Sequence, residues 1–251
     1  MCVADANNHR LQIFSKEQGV APRIIGGDGP GLEGRGQEPG QVRKPFGAAC
    51  DGTSLYVADD FNHRVQKLRL ADGAHLGTVG KADRTRGDGE GQFSYPMGLC
   101  VAADVLYVCD ERNHRIVCLG TDLTWHYTFG RRGSGDGEFR YPQAVAAHGG
   151  ELYAVDHDNS RIQAAPTLRR PAPSPTQTPV ARQVFTPDRH GRMRFARAFG
   201  GKGDAPGQFD GPCGVAVVRG LVVVSESDNE RVQVLTPKGV PLQVTMGTAL
   251  G

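Results

Sequence analysis

Three histidines hold the same place in a recurring string: Asn8-His9-Arg10, Asn62-His63-Arg64 and Asn113-His114-Arg115. Imidazoles repeated at one position are the raw material of a metal centre, because a neutral ring nitrogen is a common zinc ligand. Each string also has an acid three residues before its Asn, giving acid-x-x-Asn-x-Arg at Asp5/Asn8/Arg10, Asp59/Asn62/Arg64 and Asp110/Asn113/Arg115. Two further copies, Asp156/Asn159/Arg161 and Glu226/Asn229/Arg231, put Ser160 and Glu230 where the histidine stood. A ring of metal ligands would not survive that loss, so the histidines read as exposed turn residues, and His114→Ala is expected to change partner binding little. The acid and the Arg, five positions apart, read as an ion pair across a turn. The Asn reads as the residue that takes the left-handed conformation a tight turn needs. The glycine-rich Gly-Asp-Gly-Glu stretches lack the dense acid spacing of calcium loops. With no nucleophile elbow, phosphate loop or carboxylate pair in the chain, no catalytic, cofactor-binding or metal-binding residue is assigned.

The elements that position these residues are hairpins. Leu106-Tyr107-Val108-Cys109 is an apolar strand, Asp110 to His114 a polar turn, and Arg115-Ile116-Val117-Cys118 a returning strand. Around each hairpin the same units recur: a glycine-rich loop, a strand opened by Pro, the hairpin, and a last strand closing at Gly. They span about 1–27, 36–80, 87–130, 135–200 and 206–247, with openings such as Gln92-Phe93, Glu138-Phe139 and Gln208-Phe209. The three phenylalanines are expected to plug each loop onto its sheet. Five copies make this a repeat protein of short antiparallel strands, and four strands per unit is the pattern of propeller blades.

One spacing breaks the period. Successive repeat arginines lie 46–54 residues apart except for Arg161 and Arg231, which are 70 apart. Between them, Ala164–Gln183 holds five prolines and three arginines and no acid. Such sequence cannot join a central strand, so it reads as an extruded, disordered loop or a sequence artefact, with Val184-Phe185-Thr186-Pro187 resuming the strand.

Composition narrows the function. A formal net charge of +2, falling to −1 without Ala164–Gln183, gives no general case for nucleic acid or an anionic membrane. No apolar run approaches the roughly 20 residues of a membrane-spanning helix, and the first residues lack the pattern of a signal peptide. The six cysteines show neither CxxC nor finger spacing. Cys50, Cys100 and, nearby, Cys213 fall at equivalent small-residue positions after the Pro of a first strand, and all six read as reduced, buried thiols of an intracellular, cytoplasmic protein.

Taken together, glycine-rich loop, Gln/Glu-Phe, x-Pro, apolar-Asp and Asn-His-Arg resemble NHL repeats, with Arg in place of the third-position Leu. The resemblance covers nearly the whole chain outside Ala164–Gln183; Ser160, Glu230, Glu226 and Val42 depart from the pattern. It implies an all-β propeller of about five recognisable four-stranded blades, the first incomplete, belonging to a six-bladed ring. The first unit shows only Val3–Asp5, Arg10–Phe14 and Pro22–Gly26, and four residues follow Gly247, so the chain is expected to be a fragment of a longer protein.

Strand parity places the loop after strand two and the loop after strand four of each blade on one rim. The candidate partner-binding residues there are Arg84, Arg86, Tyr95, Arg131, Arg132, Arg140, Tyr141 and Lys202. The resemblance implies a non-catalytic protein-binding scaffold, as in the substrate-recognition half of tripartite-motif ubiquitin ligases, although no RING or B-box pattern is present. Single-stranded RNA on the same face is the second reading, and a metal-dependent lyase of the peptidyl-amidating type the third.

Overall fold

The computed structural model describes residues 1–15, 17, 19–26, 28–29, 32–33, 36–167 and 195–247. Its strands form successive antiparallel sheets, each in plain sequence order. The first sheet has three strands, Cys2–Asp5, Arg10–Ile13 and Arg23–Gly26. The second runs from Pro45–Cys50 through Ser54–Asp59 and Arg64–Arg69 to His75–Gly80. The third holds Pro96–Ala102, Val105–Asp110, Arg115–Gly120 and Trp125–Phe129. Pro142–His148, Glu151–Asp156, Arg161–Pro166 and Arg197–Gly200 make the fourth, and Pro212–Val218, Leu221–Glu226, Arg231–Leu235 and Pro241–Met246 the fifth. A two-stranded ribbon, Asp28–Gly29 with Leu32–Glu33, follows the first sheet. The sheets are the five blades of a β-propeller.

Each four-stranded blade opens on a Pro, which has no N–H to leave unpaired, and the register shifts immediately after it. The first strands of the second to fifth blades stand side by side. Their approach is close: a Cβ on Gly98 would lie 2.6 Å from the Gln143 carbonyl oxygen, so only glycine fits.

The core lies between blades. In the third blade Leu106 and Val108 pack back onto the second, with Tyr56, Ala58 and Val65. The alternate residues Val105, Tyr107 and Cys109 pack forward onto Val145, Leu152 and Ala154 of the fourth. Strand alternation here separates two hydrophobic faces, which is why the middle strands read as unbroken apolar runs. Phe93, Phe139 and Phe209 are almost fully buried in three successive seams, and Val42 fills the same role in the first, so the expected plugs hold. Gly130, at φ 91°, leaves no room for a Cβ, which would meet the Phe139 ring at 2.5 Å.

The residue after each repeat arginine points into the following seam: Leu11, Val65, Ile116 and Ile162 are all 0% exposed. Val232, its counterpart in the fifth blade, is 38% exposed, as is Val3 on the opposite face of the first blade. Among the described residues no hydrophobic cluster joins the first blade to the fifth.

Two expectations change. Cys50 pairs opposite Leu55 and is exposed, Cys100 pairs opposite Tyr107, and Cys213 sits in the register shift after Pro212, so the three are not equivalent positions. Only Cys109 and Cys118 are buried thiols, pushed up in pKa by that burial. Second, Ala164–Pro166 belongs to the third strand of its blade, where Ala164 pairs with Arg197. The third strand thus runs straight on from Arg161 to Pro166; residues 168–194, which include most of the proline-rich stretch and Val184, lie outside the described residues. No helix among the described residues is long and apolar enough to cross a membrane.

Candidate functional site

The acid and the Arg of all five repeats pair as expected, each at 2.7 Å: Asp5–Arg10, Asp59–Arg64, Asp110–Arg115, Asp156–Arg161 and Glu226–Arg231. The pairing is one part of a larger clamp. In the second blade Asp59 accepts from the Arg43 N–H at 2.6 Å, from Asn62 Nδ2 at 2.9 Å and from Gln66 Nε2 at 3.0 Å. Arg64 meanwhile donates to the carbonyls of Gln37, Glu38 and Gln41, and Asn62 to that of Gly36. A buried cation thus satisfies the backbone of a loop that has no sheet to pair with. The clamp recurs at Arg115 with Asp88 and Gln92, at Arg161 with Gly135 and Glu138, and at Arg231 with Asp204 and Gln208. These bonds tie the loop after strand four to the turn after strand two, so the two do share one rim.

The turn departs from its reading in three ways. Contrary to expectation, none of the repeat asparagines takes the left-handed conformation. Asn8, Asn62, Asn113 and Asn159 sit inside a short 3-10 turn and use their amides as donors. Asn229 is corrected in the same way, although the fifth blade makes a plain turn over 227–230 with no 3-10 segment. Its Nδ2 donates to Glu226 Oε2 at 2.7 Å and to the Gly203 carbonyl at 3.0 Å, so its role is to bond the loop rather than to bend the turn. The left-handed residue is the next one: His9, His63, His114, Ser160 and Glu230, at φ 48–55°. It is forced there because the preceding amide must point inward to reach both the acid and the loop.

The histidines are also half-buried rather than exposed. Their conformation aims Nδ1 at the next blade, where it accepts the backbone N–H of Lys44 at 2.9 Å, Tyr95 at 3.2 Å and Tyr141 at 3.1 Å. His63 and His114 also meet the Tyr95 and Tyr141 rings edge-on at 4.4 and 4.6 Å. Accepting at Nδ1 fixes a neutral ring with its proton on Nε2.

Burial, reinforced by Arg86 at one site and Arg132 at the other, lowers the pKa of His63 and His114. The unfolded chain therefore takes up protons first: the contribution of these rings is complete above about pH 6.5 and is lost as pH falls from there toward the folded value. His114→Ala should cost about 1–2 kcal/mol of stability, because it orphans an N–H and removes a ring contact. Urea unfolding at pH 7.5, with faster amide exchange at Tyr141, checks this; an unchanged midpoint would show the ring to be expendable.

The candidate rim residues divide by environment. Arg84 reaches back to Gln37 and Glu38 on the preceding loop, Arg131 pairs with Glu138 at 2.7 Å, and Lys202 lies 3.5 Å from Asp210. Arg86, Arg132 and Arg140 are exposed, with no side-chain ion pair among the described residues. Tyr95 and Tyr141 are half-buried, in the left-handed region at φ 57° and 55°. Between them stands a residue that sequence reasoning passed over: the Arg112 guanidinium lies 5.5 Å from both ring centroids. The strip continues into the second blade, where Phe61 meets Tyr95 at 5.7 Å and carries Lys44 4.9 Å above its own ring. Among the described residues no three His, Cys, Asp or Glu side chains come together as a metal site.

The NHL repeat family model matches residues 93–119, the hairpin of the third blade and the loop phenylalanine before it. NHL repeat-containing protein 2 of Gallus gallus is 28% identical over 138 residues, which cover 47% of this chain and 18% of that protein. The Homo sapiens protein of the same name is 28% identical over 135 residues, 45% of this chain and 18% of its own length. The chain thus spans under a fifth of these relatives. Among solved structures, a nidogen/laminin complex aligns over 98% of this chain and 79% of its own at TM-score 0.61 and 14% identity. A streptogramin B lyase aligns over 99% of this chain and 68% of its own at TM-score 0.58 and 12% identity. At these identities the likeness is one of fold.

Proposed function

The chain belongs to the NHL-repeat family, and from that premise we propose that it is a non-catalytic scaffold that binds a protein partner on its loop rim. One observation carries the reading. The polar residues that repeat from blade to blade are consumed in holding loops and joining neighbours, whereas the exposed turn position beside them changes along the chain, from Asn7 and Phe61 to Arg112, Asp158 and Asp228. A rigid frame that displays non-repeating side chains suits recognition rather than chemistry. The repeat histidines, with Nδ1 engaged by backbone, do not support the lyase reading. RNA is the competing ligand, favoured by the unpaired Arg86, Arg132 and Arg140.

The test is affinity capture from nuclease-treated lysate, followed by cross-linking to the rim. A partner retained after nuclease should be lost on replacing Arg131, Arg132 and Arg140 together by alanine, and kept by Lys238→Ala on the opposite rim. Release of the captured material by nuclease would move the assignment to RNA.

A further inference from the structure

Tyr95, Arg112 and Tyr141 form a built feature on the rim. The Arg112 side chain is 56% exposed, yet the two flanking rings hold its plane in place, and Nε donates to Glu111 Oε2 at 3.1 Å. The Nη1–Nη2 edge has no acceptor among the described residues. A guanidinium loses conformational freedom whenever it binds, and here that freedom is already restricted. The tyrosines are held at some cost, because a bulky residue in the left-handed region is strained, and the fifth blade uses Gly211 at the same place, at φ 58°.

The chemistry this arrangement takes is a carboxylate. A planar fork with two parallel N–H donors matches the two oxygens of Asp or Glu. Base stacking is disfavoured, because the Arg112 guanidinium already lies over both tyrosine rings, 5.5 Å from each centroid. A polyanion is disfavoured as well, since the exposed Asp158 acts on both Glu111 and His114, and Glu111 itself is bonded to Arg112. Isolated carboxylates can seat on Arg112 between these acids, with Arg132 and Arg140 as further cations nearby.

Resting on the scaffold reading above, we infer that the Tyr95–Arg112–Tyr141 clamp is the anchor for an acidic segment of the protein partner, seating one Asp or Glu carboxylate on the Arg112 fork.

The probe is a fluorescein-labelled peptide whose glutamates are spaced by serine and glycine, titrated by anisotropy at low salt against the full chain. A matched glutamine peptide and a single-stranded uridine oligonucleotide run alongside. The glutamate peptide should bind and the glutamine peptide should not. Arg112→Lys, which keeps the charge but loses the planar fork, should weaken binding roughly tenfold. Tyr141→Gly, copying the fifth blade, should keep the fold and weaken binding by a similar factor, while Lys238→Ala should leave it unchanged. Equal binding by the wild type and Arg112→Lys overturns the clamp, as does tighter binding of the oligonucleotide than of the peptide. The two readings fail separately. Nuclease-resistant capture that survives Arg112→Lys removes the clamp and leaves the scaffold, whereas nuclease-sensitive capture removes the scaffold itself.

Discussion

Replacing Arg64 by alanine should destabilise the second blade by about 3–5 kcal/mol, whereas the matching Arg10→Ala should cost under about 1 kcal/mol. The difference lies in what each guanidinium holds. Arg64 and Asp59 are 5% and 0% exposed, so removing the cation leaves a buried, uncompensated carboxylate. It also orphans three loop carbonyls, those of Gln37, Glu38 and Gln41. Arg10 and Asp5 are 31% and 20% exposed, and among the described residues the Arg10 side chain donates to Asp5 alone. Water can take the place of the lost partner there. Denaturant unfolding should show an early transition for Arg64→Ala, with amide exchange in the 36–44 loop rising well ahead of the rest. A midpoint shift equal to that of Arg10→Ala would mean that the loop does not depend on the clamp.

Asp60→Ala should stabilise the protein at pH 8 by about 2–4 kcal/mol and flatten its stability between pH 4 and 7. Asp60 is 6% exposed and its Oδ1 has no hydrogen-bond partner among the described residues. Burial, with Glu111 and Asp59 adding repulsion against the weaker pull of Lys44 and Arg112, raises its pKa to about 7. The acid therefore keeps its proton in the folded chain over a range where the unfolded chain has lost it. Folded stability falls as pH climbs from about 4 to 7, and above 7 the full cost of a buried charge is present. The His63 and His114 rings act with the opposite sign below about pH 6.5, so the substitution isolates the acid's share. Ala6 occupies this place in the first blade, so the repeat already accommodates the smaller side chain. Calorimetric unfolding from pH 4 to 8 decides it: parallel curves for the two proteins would show that Asp60 is not held neutral.

The blades and their ion pairs were legible because both depend on short-range pattern. An acid and an Arg five residues apart face each other across any tight hairpin turn, as Asp110 and Arg115 do. What the sequence hid involves a partner far along the chain. The second duty of Arg64 is to backbone 23–27 residues away, and the His114 acceptor meets a residue 27 positions later. Backbone carbonyls and N–H groups carry no side-chain signature to search for. Propensity gives Asn62 and Asn229 the left-handed place, but bonding to Gly36 and Gly203, each 26 residues earlier, claims their amides. The strained position passes to His63 and Glu230 instead. Arg112 escapes notice because it stands at a variable place inside the repeat motif. Its significance comes from Tyr95 and Tyr141, which the fold delivers from two different blades. The one signal available beforehand was that both tyrosines directly precede a blade-opening proline.

Each hydrophobic cluster among the described residues spans two adjacent blades and none spans three. Energetically the fold is therefore close to a chain of nearest-neighbour couplings. Changes in separate seams should combine additively, and a substitution on one turn is felt little further than the adjoining blade. For the lineage that carries it, this is freedom to vary: rim chemistry can drift one blade at a time, while the Asp–Asn–Arg scaffolding beneath keeps each new surface folded.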